Sequence, residues 1–234
     1  MKARFEWMVL ALAAACSAEV RVDERAATGD TGRAEAAQPA SGERRIVFVG
    51  TSLTAGQGLE PEEAFPALIG NRIDSLDLNY EVINAGVRGE TSAGTLRRMD
   101  WVLRDPLDVL VLETGANDGL RGLSVDSLRG NLQAILDKVQ SAYPEAAVLL
   151  VGMEAPPNLG PRYTSGFRSV FPEVAAEEGV TYMPFLLEGV AAVRELNQGD
   201  GIHPNAEGAR RVAENVWRAL SPVLGSLDAA AQKP

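Results

Sequence analysis

Residues 46–56 read Ile46-Val47-Phe48-Val49-Gly50-Thr51-Ser52-Leu53-Thr54-Ala55-Gly56. A continuous apolar run that ends in a small-residue turn is the pattern of a strand covered on both faces, because a half-exposed strand would alternate. Similar runs recur downstream. Tyr80 to Ala85, Val109 to Leu112, Ala147 to Val151 and Val180 to Met183 read as four further strands. Between them, apolar residues fall at helical spacing. Pro61-Glu62-Glu63 suits a helix first turn, followed by Phe65, Leu68, Ile69, Ile73 and Leu76. Thr91 to Leu103, Ser124 to Ala142 and Phe167 to Glu178 read as helices, and a last one runs from about Asn205 to Leu220. The stretch from Val151 through Arg162 reads as a Pro-rich loop.

Strands alternating with helices imply a parallel sheet with right-handed crossovers and helices on both faces. The expected fold is therefore α/β, a three-layer sandwich with a five-stranded parallel sheet. It occupies one domain, residues 45–226, with a disordered tail at 227–234. In such sheets, sites form beyond the carboxyl ends of the strands, near the point where strand order reverses.

Composition narrows the chemistry. The chain has 234 residues, enough for one sizeable domain, and is 46% hydrophobic, so wholesale disorder is excluded. A formal net charge of −10 repels nucleic-acid phosphates at long range. Nucleic acid is therefore not an expected partner, and the acidity reads as a solubility feature. Cys16 and His203 are the sole residues of their types. One cysteine forms no intrachain disulfide, and a zinc site needs several Cys, His or carboxylate ligands held together. No metal or organic cofactor is expected, and any imidazole chemistry falls on His203.

Residues 1–15 read as an export signal. Lys2 and Arg4 precede an apolar run from Trp7 to Ala15, too short to span a bilayer as a helix. Small residues stand directly before Cys16, which resembles a bacterial lipoprotein signal with Cys16 as the lipidated residue. The alternative is an ordinary secretory signal cleaved after Ala15 or Ala18. Both readings export the protein, to the periplasm or to a membrane anchor without a transmembrane span. Residues 16–44 carry almost no large apolar side chain and read as a flexible linker.

Four segments at expected strand ends carry the chemistry. In the first, Ser52 sits among small residues where a strand-to-helix turn can present its hydroxyl. The same block reads as a Gly-rich or phosphate-cradling turn, but no Lys or Arg lies between Gly50 and Glu60. In Asn84-Ala85-Gly86-Val87-Arg88-Gly89-Glu90-Thr91-Ser92, the Gly89 N–H can point into a site, or Gly89 is simply a helix-entry glycine. In Glu113-Thr114-Gly115-Ala116-Asn117-Asp118, the Asn117 amide can donate to a developing negative oxygen, or the block is an Asn-Asp turn. In Asp200-Gly201-Ile202-His203-Pro204-Asn205, one tight turn lets the Asp200 carboxylate accept from the ring of His203.

All four blocks, in this order, resemble those of the SGNH (GDSL-type) hydrolases. The likeness is greatest to the bacterial branch of multifunctional thioesterases, lysophospholipases and arylesterases. It covers roughly residues 45–222 and continues through Gly119-Leu120-Arg121-Gly122 and Pro157-Asn158-x-Gly160-x-Arg162-Tyr163. One departure stands out: Thr51 replaces the usual Asp before the nucleophile, which bears on the rigidity of that loop or on the level of activity rather than on mechanism.

The resemblance implies a flavodoxin-like SGNH hydrolase fold and a serine esterase acting on carboxylic esters, with thioesters and lysophospholipids in the same class. It implies Ser52 as nucleophile, His203 as its base, Asp200 as the residue that orients the ring, and an oxyanion hole of Ser52, Gly89 and Asn117. Residues 118–123 resemble a mobile loop beside the acyl site, so Asp118, Gly119 and Leu120 are expected to line the substrate with Met153 and Pro157. The partner expected is a small-molecule ester or thioester, including acyl lipids. Two alternatives remain: an O-deacetylase acting on envelope carbohydrate, and a catalytically inactive binding lipoprotein.

Overall fold

Five parallel strands form a single sheet in the order β2-β1-β3-β4-β5. The computed structural model describes residues 42–231. The expected export signal, Cys16 and nearly all of the expected linker lie outside the described residues. The strands are β1 (Arg44–Gly50), β2 (Tyr80–Gly86), β3 (Val109–Glu113), β4 (Ala147–Val151) and β5 (Thr181–Met183). The helices are α1 (Phe65–Ser75), α2 (Ser92–Val102), α3 (Ala116–Leu120), α4 (Val125–Ala142), α5 (Pro161–Glu177) and α6 (Ala206–Ala231).

The central strands β1, β3 and β4 are buried along nearly their whole lengths, which is why their sequences are unbroken apolar runs. Helix α4 turns Leu128, Leu132, Ile135, Leu136 and Val139 into the core, and α5 adds Phe167, Val170, Phe171 and Val174. Helices α1 and α6 bury Ile69, Ile73, Val212, Val216 and Leu220 in the same core. At about 25 cal/mol per Å² of apolar surface removed from water, this continuous core dominates the folding free energy.

The chain runs from β1 outward to β2 and then returns past β1 to β3, so strand order reverses between β1 and β3. The carboxyl ends of these two strands stand side by side, with Val49 registered against Leu112. A crevice opens at such a reversal because the following connections leave in opposite directions.

Three elements differ from expectation. Helix α5 begins at Pro161, six residues earlier than its apolar period indicates. Gly160, at φ +84°, turns the chain and Pro161 takes a first-turn position, where a missing N–H costs nothing. Helix α6 continues through Ala231, past Leu220 and past the expected start of a disordered tail at residue 227. Leu227 packs against the core, and Asp228 accepts from Arg44 and from the Tyr80 hydroxyl at 2.9 Å. Residues 118–120, the first part of the stretch expected as a mobile loop, belong to the short helix α3. Among the described residues no helix is long and apolar enough to cross a membrane.

Candidate active site

The turn after β1 and the loop before α6 meet at the carboxyl edge of the sheet. His203 Nε2 lies 3.0 Å from Ser52 Oγ, across 151 residues of sequence. The other ring nitrogen, Nδ1, lies 2.6 Å from Asp200 Oδ2. The second Asp200 oxygen accepts from the backbone N–H groups of Ile202 at 2.9 Å and His203 at 3.0 Å. These bonds fix the carboxylate within its own tight turn. Its hydrogen bond to His203 and the two backbone donors hold the Asp200 carboxyl down to about 2. Asp200 is therefore an anion throughout the neutral range, and an Nδ1–H facing it leaves Nε2 as the lone-pair nitrogen towards Ser52.

The two loops are fastened together by Gln198, which donates from Nε2 to the Gln57 carbonyl at 2.6 Å and to the Pro204 carbonyl at 2.9 Å. Gln57 lies in the nucleophile loop, where its own N–H donates to the Ser52 carbonyl at 3.0 Å. Gln198 N–H also donates to the His203 carbonyl at 2.7 Å. A β-bridge pairs Asn197 with Pro204 and closes the base of the histidine loop. None of these contacts is visible in the sequence, because Gln198 carries no motif.

The nucleophile turn is anchored from below by Glu113, the last residue of β3. Its carboxylate is 1% exposed. It accepts from the Thr51 N–H at 2.7 Å, from the Thr51 hydroxyl at 3.0 Å to each oxygen, and from the Thr54 hydroxyl at 2.9 Å. Burial pushes this carboxyl above the ordinary carboxylate range, while the donors from Thr51 and Thr54 pull the other way. Thr51, which stands where the family usually has Asp, thus supplies a neutral donor to a buried acid. A Cβ on Gly50 would stand 1.9 Å from Thr54 Oγ1 and 2.7 Å from Glu113 Oε2, so only glycine fits there. A Cβ on Gly86 would lie 2.3 Å from the Ala55 nitrogen.

The loop after β2 approaches the same edge. Gly89 adopts φ +71°, a left-handed conformation that suits glycine. Its carbonyl accepts from Arg121 Nη2 at 3.0 Å. Asn117, in α3, donates from Nδ2 to the Glu90 carbonyl at 2.9 Å. An amide carries two N–H groups, so one remains. The loop is stiffened by Arg98, whose Nε contacts both Glu90 oxygens at 3.0 and 2.8 Å in a largely buried ion pair.

The expected substrate loop divides in two. Asp118 is buried and commits both oxygens to Ser92, at 2.8 Å from its N–H and 2.6 Å from its hydroxyl. It therefore ties α3 to the start of α2. Gly119 packs against Phe167, and Met153 is part of the core. Leu120 and Pro157 are exposed. Val87, Leu123 and Ile202 are exposed as well. Behind Ser52 and His203, among Leu53, Leu59, Phe65, Leu186 and Val212, only about 10 Å³ is free. That is at most one water, so a substrate must approach Ser52 from the solvent side. Among the described residues no cluster of three His, Cys, Asp or Glu side chains is arranged to hold a metal ion.

Known proteins resemble this chain in sequence and in fold. Residues 48–211 match the GDSL-like Lipase/Acylhydrolase family. Esterase TesA of Pseudomonas aeruginosa is 41% identical over 180 residues, covering 76% of this chain and 89% of TesA. Thioesterase 1/protease 1/lysophospholipase L1 of Escherichia coli K12 is 35% identical over 181 residues, covering 76% and 84%. Among solved structures, the psychrotrophic esterase EstA from Pseudoalteromonas sp., inhibited by monoethylphosphonate, aligns with a TM-score of 0.74 at 33% identity, covering 78% of this chain and all of that one. The family match spans well over half of the sequence, and the chain belongs to the GDSL-like lipase/acylhydrolase family of SGNH hydrolases.

Proposed function

We propose that this protein is a serine esterase that hydrolyses carboxylic esters through Ser52, His203 and Asp200. The observation that carries the reading is the continuous hydrogen-bonded line from Ser52 Oγ through both ring nitrogens to the Asp200 carboxylate. Esterase, arylesterase and thioesterase relatives support the reaction class.

Ser52 Oγ attacks the ester carbonyl carbon while His203 Nε2 takes the hydroxyl proton. The imidazolium so formed is stabilised by the Asp200 anion at Nδ1. The carbonyl oxygen becomes an oxyanion. It is held by the Ser52 and Gly89 N–H groups and by the second N–H of Asn117 Nδ2. Such donors act on charge that develops only in the transition state. Collapse of the intermediate expels the leaving alcohol, which takes the proton back from His203. Water, deprotonated by the same imidazole, then attacks the acyl carbon, and Ser52 Oγ leaves with the proton returned by His203, which releases the acid and restores the enzyme. A thioester follows the same path with a thiol as leaving group.

The test is a panel of p-nitrophenyl esters of increasing chain length, acyl thioesters and acetylated sugars, alongside fluorophosphonate labelling. The expected result is turnover of acyl esters and labelling of the natural chain but not of Ser52→Ala. Labelling that survives in Ser52→Ala would remove Ser52 as nucleophile.

A further inference from the structure

We propose that Glu113 is a positioning residue for the nucleophile: its buried carboxylate grips the chain on both sides of Ser52 and sets the angle at which the serine hydroxyl meets His203. The inference rests on Ser52 being the nucleophile and adds a residue that does not touch substrate.

Three features support it. First, location: Glu113 ends β3, and the register of Val49 against Leu112 brings it opposite Gly50, the last residue before the turn. A rigid central strand thus reaches across to a loop that would otherwise depend on its own short-range bonds. Second, convergence: every hydrogen bond that Glu113 accepts through its side chain comes from residue 51 or 54, one on each side of Ser52. The shortest, at 2.7 Å, holds the Gly50–Thr51 peptide, one residue before Ser52. Third, burial: an acid is costly to place in a core unless its bonds are needed. A carboxylate used only to complete the fold could be replaced by an apolar side chain at little loss. This one is surrounded by donors belonging to a single functional turn. Arg98, paired with Glu90, reaches the Gly50 carbonyl through Nη2 at 3.4 Å, and His203 meets the turn through Ser52. Neither bonds to Glu113, so its hold on the turn is direct.

The Ser52 hydroxyl must sit within a few tenths of an ångström of hydrogen-bonding distance from Nε2, and a displacement of about 1 Å costs up to about a hundredfold in rate. Loss of the grip therefore lowers kcat and leaves substrate binding, which lies on the solvent side, unaltered.

The experiment compares four variants of the full chain. Thr51→Val is isosteric and removes the hydroxyl given to both carboxylate oxygens, and Thr51→Ser restores it. Glu113→Ala removes the grip, and Glu113→Gln keeps an acceptor for the Thr51 N–H. Steady-state kcat and KM on a p-nitrophenyl ester and the rate of fluorophosphonate labelling are the readouts. The proposal expects kcat and labelling rate to fall tenfold or more in Thr51→Val and Glu113→Ala at unchanged KM, with recovery in Thr51→Ser and Glu113→Gln. Should Glu113→Ala not fold, the Val/Ser pair at residue 51 carries the comparison. Natural kcat in Thr51→Val, or an equal loss in Thr51→Ser, overturns the proposal. Failure of the natural chain to label would instead overturn the assignment of Ser52.

Discussion

Replacement of Asn117 by alanine separates two jobs that one amide performs. One N–H of Nδ2 donates to the Glu90 carbonyl at 2.9 Å and joins α3 to the loop carrying Gly89. The other is assigned to the oxyanion. The structural bond is between neutral groups, and its net worth is about 1 kcal/mol. In a domain of this size that lowers Tm by about 2–4 °C. The catalytic donor acts only when negative charge has developed, and loss of one such donor costs about 2.7–4 kcal/mol, or roughly 10²–10³ in kcat. Because the ground-state ester carries little charge, KM should barely change. Thermal unfolding followed by circular dichroism gives the first quantity, and steady-state hydrolysis of a p-nitrophenyl ester gives the second. An Asn117→Ala enzyme that loses the expected few degrees but keeps its natural kcat would show that Asn117 is a structural clamp and nothing more. A large rise in KM at constant kcat would mean that it binds substrate instead.

Asp200→Asn removes the anion that faces Nδ1 while keeping a side chain of the same shape. The ring can then present its N–H to Ser52, and kcat should fall by up to about 10⁴-fold, with the loss measured on the same ester. Glu113→Gln should show a pH-dependent change in stability. The natural carboxyl is shifted upward by burial, so the folded state favours its protonated form, and the stability that proton contributes is lost as pH rises through the folded-state value. The Tm of Glu113→Gln relative to the natural chain should therefore rise as the pH is raised above the ordinary carboxylate range, and a constant difference would contradict the upward shift.

The fold class was legible because its cause is local and repetitive. Val47 to Val49, Val109 to Leu112 and Val148 to Val151 are apolar on both faces, as only central strands of a covered sheet need to be. Three of the four blocks were legible because each follows the end of a strand, and the fourth because Asp200 with His203 needs only one turn of chain to form its bond. Helix ends were less readable. The extension of α6 to Ala231 depends on Asp228 meeting Arg44 and Tyr80, and no window of sequence contains all three.

Asp118 shows the limit most clearly. An acid beside Asn117, in a glycine-containing stretch, reads as a loop residue near substrate. Its carboxylate instead binds Ser92, 26 residues away, and it becomes part of the scaffold. Glu113 and Gln198 were invisible for the same reason. One closes a strand and the other sits in a polar loop, and their importance lies wholly in which distant groups they touch. Periodicity and chemical type along the chain determined the sheet and its covering helices, and the resemblance carried by four short blocks singled out the candidates for nucleophile, base and oxyanion donors. The meeting of Ser52 with His203 across 151 residues, and the buried acid beneath their turn, was decided only by packing, because hydrogen bonds depend on distances in space that sequence separation does not encode.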